Sequence, residues 1–211
     1  TAVNGKFKLV RTQISSGPMS FPPFGRQCGS TTQLQTKWDT GDVRLTSAFW
    51  DAGLGRLFTA TSIAGNVGGG GQESVVRWWE IDPASTLANS TAPRKGTVGA
   101  AGLDSAWPSV ATDSEGKLWV NYARAGLGEC LSAVASVIQP GATGHAAIPI
   151  WTGDGRYEFG PGPDRWGDYT ALVRDPLNGT QMAAYGAYPI DDGGSAPTAI
   201  WQQVIATLTD A

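Results

Sequence analysis

The sequence predicts an all-β fold. Glycine contributes 29 of the 211 residues and proline 13, a composition typical of short strands joined by many turns. Hydrophobic residues make up 41% of the chain and charged residues 16%, which indicates a globular domain with a buried core. A strand–turn–strand pattern also recurs three times at one interval, and such self-similarity is typical of repeat architectures.

The repeat is centred on an aspartate. Its copies are LTSAFWDAGLGRLFTATSI from Leu45, WPSVATDSEGKLWVNYARA from Trp107 and YTALVRDPLNGTQMAAYGAY from Tyr169. Asp51, Asp113 and Asp175 then share one column at an interval of 62 residues (113 − 51 and 175 − 113). Aspartate can bond to its own turn backbone, and the glycine that follows it in each copy accepts a positive φ. The pattern therefore predicts three β-hairpins.

Further strands follow each hairpin. The third strands are predicted in SVVRWWEIDP, LSAVASVIQP and IWQQVIATL, and GTVG near Thr97 and IPIW near Ile150 are candidate fourth strands. Four antiparallel strands in about 60 residues are typical of one β-propeller blade. We therefore expect a β-propeller segment of about three to four four-stranded antiparallel blades. Closed propellers have about four to eight blades, so this segment is predicted to be part of a larger ring.

The expected organisation is one propeller domain. Residues 1–40, with KFKLVRTQIS, form the end of a preceding blade and a connecting loop, and residues 41–99, 100–160 and 161–211 form three blades, the last incomplete. GGGG at Gly68–Gly71 is a flexible connection, because no Gly-Lys-Ser/Thr of a phosphate loop follows it. A self-contained β-sandwich is the structural alternative.

Charge and histidine content exclude several classes of function. The net charge is −3, so the chain lacks the basic surface that nucleic acids and anionic membranes attract, and no apolar run is long enough to span a bilayer. His145 is the only histidine, which excludes histidine triads and multi-histidine metal sites. We expect His145 to be an exposed loop residue.

Two cysteines and two sequons add further expectations. Cys28 and Cys130 fall on one predicted face in adjacent blades, so they either form a disulfide between blades or remain buried thiols. Asn89 and Asn178 lie in Asn-x-Ser/Thr triplets in predicted loops, which matter only in a eukaryotic secretory pathway.

Several segments resemble a known group of proteins. DTGDVRL, VVRWWEIDPA, GTVG, WPSVATDSEGKLWVNY and RWGDYTALVRDP, in that order, resemble the C-terminal half of large secreted bacterial β-propellers, loosely grouped with sialidase-like and BNR-repeat propellers. The resemblance runs from about Leu34 to Leu208. It implies a propeller fold and an extracellular or cell-surface location, but little about activity. The strict Asp-box of sialidases is not reproduced, because TDSEGKLW has one extra residue between Asp113 and Gly116.

A candidate binding rim follows from the predicted topology. The loops that lead into the first strands, and those joining second to third strands, share one face of the ring. Those loops carry Asp42, Arg44, Asp104, Trp107, Arg124, Arg165, Trp166, Asp168 and Tyr169. Such a rim can bind carbohydrate, with rings stacking on sugars and charged groups bonding to hydroxyls. Alternatively, Asp42 and Asp168 cap the backbone, Arg44 and Arg165 pair with them, and the aromatic residues hold blades together.

Calcium is the one cofactor that the sequence suggests. Asp154, Asp191 and Asp192 lie in acidic turns that offer oxygen ligands, although their spacing matches no defined calcium loop and solvated turns explain them as well.

The expected function is that of a non-catalytic extracellular scaffold for binding or assembly. Its expected partners are a glycan, an extracellular protein, or the remainder of the propeller on missing sequence or another chain. The alternative is a sialidase-like glycoside hydrolase, in which Tyr169 is the nucleophile, Asp168 assists it, and Arg44, Arg124 and Arg165 hold a substrate carboxylate.

Overall fold

The computed structural model describes residues 2–3, 6–7, 15–68, 71–84, 93–191 and 200–210, the first two stretches as backbone only. These residues form a 3₁₀ turn at Leu34–Thr36 and thirteen β-strands. The strands are β1 (Ala2–Val3), β2 (Lys6–Phe7), β3 (Ser47–Asp51), β4 (Arg56–Gly65), β5 (Glu73–Ile81), β6 (Arg94–Val98), β7 (Leu103–Thr112), β8 (Leu118–Gly126), β9 (Glu129–Ile138), β10 (Ala146–Thr152), β11 (Ala171–Arg174), β12 (Gln181–Ile190) and β13 (Ile200–Thr209).

The strands form antiparallel sheets in which sequence neighbours pair. Sheet 1 is β3-β4-β5-β6, sheet 2 is β7-β8-β9-β10, and sheet 3 is β11-β12-β13; β1 and β2 pair separately. The all-β prediction is confirmed, and all the strands predicted after the hairpins are present.

The three predicted hairpins are β3–β4, β7–β8 and β11–β12. In each turn the aspartate Oδ1 accepts a hydrogen bond from a backbone N–H two or three residues later. The donors are Leu54 to Asp51 at 2.9 Å, Glu115 to Asp113 at 2.9 Å and Leu177 to Asp175 at 2.7 Å. Gly55 and Gly116 have φ of 63° and 79°, a left-handed conformation that explains glycine in the first two turns.

The first strands begin at other residues than predicted: β3 and β11 begin two residues later, and β7 begins four residues earlier. The sequence indicated that the second hairpin begins at Trp107, whereas β7 begins at Leu103. A bulge shifts the register between Ala106 and Ser109, and Trp107 within it has a φ of 58°. Pro108 is tolerated here because β7 is an edge strand and the bulge needs no ladder bond from it. The bulge interrupts the alternation of inward and outward side chains that would identify the strand from its sequence.

Sheet 2 lies between the other two. One face packs Val110, Val120 and Tyr122 against Phe58 and Trp78 of sheet 1. Its other face packs a second cluster against sheet 3, comprising Ala111, Trp119, Ala135, Val137, Leu172, Met182, Ala184 and Leu208. The strands β8 and β9 are buried on both faces, which explains why their sequences are apolar at nearly every position.

Residues 15–40 run without regular strands and are tied to sheet 2. Trp38 is fully buried and forms isolated bridges to Gly25 and Asp164. Cys28 and Cys130 form a disulfide with a Cα–Cα distance of 4.5 Å, which decides between the two alternatives that the sequence left open. The disulfide attaches this segment to the start of β9.

Candidate functional site

A cleft of 520 Å³ lies where the chain enters the first strands of the sheets. Its lining comprises Asp39, Gly41, Asp42, Arg44, Leu45, Thr46, Trp107, Arg165, Asp168 and Tyr169. Leu45, Trp107 and Tyr169 are the first residues of the three repeat copies, so equivalent positions of all three sheets meet here. Six of the nine residues predicted for the rim lie in this cleft.

Trp107 and Gly41 form a fixed part of the wall. The Trp107 indole Nε1 donates to the Asp39 carbonyl at 2.9 Å, and the Trp107 carbonyl accepts from Thr170 Oγ1 at 2.7 Å. Gly41 has a φ of 80°, and a Cβ there would lie 2.8 Å from the Trp107 ring. Only glycine satisfies both conditions, so the ring packs directly on the backbone.

Two ion pairs stand beside this wall. Asp42 accepts a bond from the Arg44 backbone N–H at 2.8 Å and pairs with the Arg44 guanidinium at 2.6 Å. The guanidinium holds the pKa of Asp42 below its usual range. The Arg165 guanidinium likewise forms an ion pair with Asp168. The predicted pairing of Asp42 with Arg44 and of Asp168 with Arg165 is therefore present, yet both guanidiniums still face solvent at the cleft.

Tyr169 supplies the exposed ring of the cleft. Its side chain is 81% exposed, and no described residue hydrogen-bonds to its hydroxyl. Leu45, at the equivalent position of the first repeat, is also exposed. The cleft thus combines a free aromatic face with donors and acceptors on the two ion pairs.

Asp104 lies away from the cleft. The bulge that lengthens β7 places it in the strand, where it is buried. Its carboxylate accepts bonds from the Ser74 N–H at 2.9 Å and from both the backbone N–H and the Nε of Arg26 at 2.8 Å. Asp104 therefore joins sheet 1, sheet 2 and the N-terminal segment.

Arg124 and Trp166 also lie outside the cleft. Arg124 belongs to β8 and pairs with Glu129 at 2.8 Å, across the turn that leads into β9. Trp166 is buried and packs edge-on against Tyr157, with the ring centroids 5.0 Å apart. Arg124 was predicted at the rim because the sequence does not show that β8 continues to Gly126, and Trp166 because its core contacts are not visible in local sequence.

Four cleft residues were not predicted: Asp39, Gly41, Leu45 and Thr46. Leu45 had a usable signal, because it occupies the same repeat position as Trp107 and Tyr169. Asp39 contributes its backbone carbonyl, and Gly41 leaves space for the Trp107 ring because it has no side chain. Residue type alone does not indicate either role.

His145 was predicted to be an exposed loop residue. It does lie in a loop, just before β10, but the predicted exposure was wrong. The side chain is partly buried, and its Nε2 accepts a hydrogen bond from the Gly99 N–H at 3.3 Å. Burial lowers the pKa of His145, which keeps the ring neutral and able to accept this bond.

The acidic turns and the sequons are only partly within the described residues. Asp154 Oδ1 accepts the Asp191 N–H at 2.7 Å, so these two turns do meet, while Asp192 lies outside the described residues. Within the described ranges, no group of three His, Cys, Asp or Glu side chains is arranged to hold a metal ion. Asn178 is exposed in the β11–β12 turn, and Asn89 falls in a stretch that is not described, as do Gly69 and Gly70.

Comparison with known proteins leaves the family open. No protein-family model matches the chain, and no curated protein sequence is significantly similar to it. Among the described residues, no helix has the length and apolar character needed to span a membrane. The resemblance to secreted β-propellers therefore stays a prediction.

Proposed function

We propose that the protein is a non-catalytic extracellular scaffold of the β-propeller type, and that its cleft binds a neutral carbohydrate. The observation that carries the proposal is the meeting of Leu45, Trp107 and Tyr169 in one cleft. In a ring of blades the first strands surround the central axis, so equivalent positions of successive blades converge at its mouth. The face-to-face packing of three consecutive antiparallel sheets is consistent with this arrangement.

The disulfide supports an extracellular location. Disulfides form and persist in oxidising compartments and are rare where glutathione and thioredoxin keep thiols reduced. Cys28 and Cys130 are paired, and none of the described cysteines is free.

The chemistry of the cleft suits a neutral sugar. The exposed Tyr169 ring offers an apolar face on which the C–H groups of a pyranose can stack. The carboxylates and guanidiniums of the two ion pairs accept and donate hydrogen bonds to hydroxyls. Because each guanidinium is already paired with an aspartate, the cleft carries no free cation for an anionic ligand.

Binding is favoured over hydrolysis by the surroundings of Tyr169. A tyrosine nucleophile needs a base within hydrogen-bonding distance of its hydroxyl. No described side chain occupies that position, and Asp168 is engaged by Arg165.

The test combines glycan binding with turnover. The full chain is probed on an array of defined neutral oligosaccharides and assayed with fluorogenic glycosides. We expect binding without turnover, and we expect Tyr169→Ala to weaken binding by about tenfold or more because it removes the stacking face. Phe159→Ala is the matched control, since Phe159 is 85% exposed but lies outside the cleft.

Two outcomes would overturn the proposal. Turnover that is lost in both Tyr169→Phe and Asp168→Asn would make the protein a hydrolase. An array without bound glycans, or equal losses in Tyr169→Ala and Phe159→Ala, would exclude the cleft as a carbohydrate site.

A further inference from the structure

Sheet 3 has an uncovered apolar face. Strand pairing places Ile205 at the position held by Trp78 in sheet 1 and Ala135 in sheet 2. Trp78 and Ala135 are completely buried by the sheet that follows, whereas Ile205 is 80% exposed. The same holds for Val173, which is exposed although Ala111, 62 residues earlier, is buried. The face that packs in the first two sheets thus continues into sheet 3 without a partner among the described residues.

The repeated interface shows what kind of element covers such a face. In sheet 2 the first strand presents Val110 to sheet 1, and in sheet 3 Leu172 takes the same position against sheet 2. A donor two residues later adds a polar link: Thr112 Oγ1 bonds to Asp51, and the Arg174 guanidinium bonds to the Asp113 carbonyl at 3.2 Å. The covering sheet contributes apolar side chains from its first three strands, and its first strand carries an aliphatic residue and, two positions on, a hydrogen-bond donor.

The chain itself contains an unused element of this kind. Ala48 and Trp50 of β3 hold the positions of Val110 and Thr112, and both are exposed. Thr59 and Trp79, on the same face of β4 and β5, are buried, so β3 is the free part of this face. No described residue accepts a hydrogen bond from the Trp50 indole N–H. Asp175 at the end of sheet 3 occupies the position that receives the polar link in the other two sheets. One end of the stack therefore offers the covering strand and the other end offers the face it would cover.

We infer that sheet 3 of one copy of this chain is covered by β3 of a second copy. The contact is head to tail, and it rests on the ring arrangement proposed above, because only a closing rotation lets two copies satisfy both contacts instead of forming a filament. Trp50 of the second copy then lies beside Ile205 and Val173 and reaches the Asp175 turn.

The test is the oligomeric state of the full chain in solution, measured by sedimentation velocity over a dilution series. We expect the mass of two chains. Ile205→Asp buries a charge in the contact and is expected to raise the dimer dissociation constant by about tenfold or more. The control is Leu127→Asp: Leu127 is 59% exposed in the β8–β9 turn of sheet 2, outside the contact, so this variant remains dimeric.

Mixing two variants tests the direction of the contact. At a concentration between the dissociation constants of the unchanged chain and the variants, Ile205→Asp and Trp50→Asp are each expected to be monomeric alone. Their mixture is expected to form heterodimers because one intact contact is restored. A symmetric contact through sheet 3 alone would leave Trp50→Asp dimeric. Circular dichroism checks that both variants fold.

A monomer at every concentration, a dimer that survives Ile205→Asp, or a dimer that survives Trp50→Asp overturns this inference. Glycan binding by a monomeric chain would leave the proposed function standing. Conversely, a dimer that binds no glycan would contradict only the proposed carbohydrate site.

Discussion

The two ends of the first strands differ in how they use the repeat. At one end, the turn end, the three copies keep the same residue: Asp51, Asp113 and Asp175. Asp51 and Asp113 are buried and bonded to several donors, including the Trp119 indole, which donates to Asp113 Oδ2 at 2.9 Å. Arg174 then links the first two turns by contacting both Asp51 and the Asp113 carbonyl.

At the other end, the cleft end, the same three copies carry Leu45, Trp107 and Tyr169. Two of these side chains are exposed, and the third is held by its contacts with Gly41 and Asp39. Where the repeat keeps the aspartate, it stabilises its own turn, and in the first two copies it also contacts the neighbouring sheet. Where the repeat lets the residue change, the side chains are available to a ligand.

The largest expected effect on the free energy of unfolding is that of the disulfide, which stabilises the fold although it lies at the cleft end. Replacing both Cys28 and Cys130 by serine is expected to lower the free energy of unfolding by about 2–5 kcal/mol, because a long closed loop no longer restricts the unfolded chain. Urea unfolding of the double variant measures the loss, and reduced wild-type protein is its control. A loss below about 1 kcal/mol would mean that the N-terminal segment is attached by other contacts.

At the turn end, Asp113→Ala is expected to cost about 3 kcal/mol. It leaves the Trp119 indole and the Glu115 and Lys117 backbone N–H groups without an acceptor. Asp175→Ala, at the equivalent but more exposed turn, is expected to cost about 1 kcal/mol. Urea unfolding of both variants tests the comparison, and equal losses would contradict the ranking by burial.

Trp107 allows a test of backbone conformation at the cleft end. Both Trp107→Ala and Trp107→Gly lose the ring, but only glycine accepts a φ of 58° without strain. We expect the glycine variant to be more stable than the alanine variant by about 0.5–1 kcal/mol, the reverse of their usual order in strands. Thermal unfolding of the pair decides the sign.

Two buried carboxyl groups should respond to pH in opposite directions. Burial raises the pKa of Asp164, next to the cleft end, above its usual range. Its contribution to stability is therefore present at low pH and lost as pH rises through the raised pKa. At the turn end burial acts against the charge of Asp51, but bonds from Thr112 and Leu54 lower its pKa overall. Its contribution is present near neutral pH and lost as pH falls through the lowered pKa.

Unfolding free energies measured from about pH 3 to pH 7 test both signs. Asp51→Asn is expected to make the free energy of unfolding less dependent on pH in the acid range. Asp164→Asn is expected to do the same nearer to neutral pH. Parallel profiles for the two variants would contradict the opposite shifts.

The smallest expected effect on stability is that of Tyr169→Ala, within about 0.5 kcal/mol, because the ring is exposed and has no hydrogen bond to lose. A larger loss of stability would show that Tyr169 supports its sheet, and any loss of glycan binding would then have to be attributed to folding. The measurement is urea unfolding of the variant used on the array.

The turn end could be predicted from sequence because its determinants are local. Asp51 and Gly55, or Asp113 and Gly116, lie within one turn, so their spacing alone indicates the hairpin. The cleft end was predicted only in part. The bond between Arg26 and Asp104 joins residues 78 positions apart, and the bulge at Trp107 conceals the first residues of β7. Burial of Trp166 likewise depends on tertiary contacts, whereas Arg124 pairs locally with Glu129 across the β8–β9 turn.

The contact between Gly41 and Trp107 limits which residues lining the cleft can be substituted. Any side chain at position 41 meets both a left-handed backbone and the indole ring, and loss of the ring leaves a gap beside an already strained residue. Variation by single substitutions is therefore confined to the two free members of the set, Leu45 and Tyr169. A library that randomises these two positions and keeps Gly41 and Trp107 unchanged therefore varies the surface of the cleft without disturbing its fixed wall.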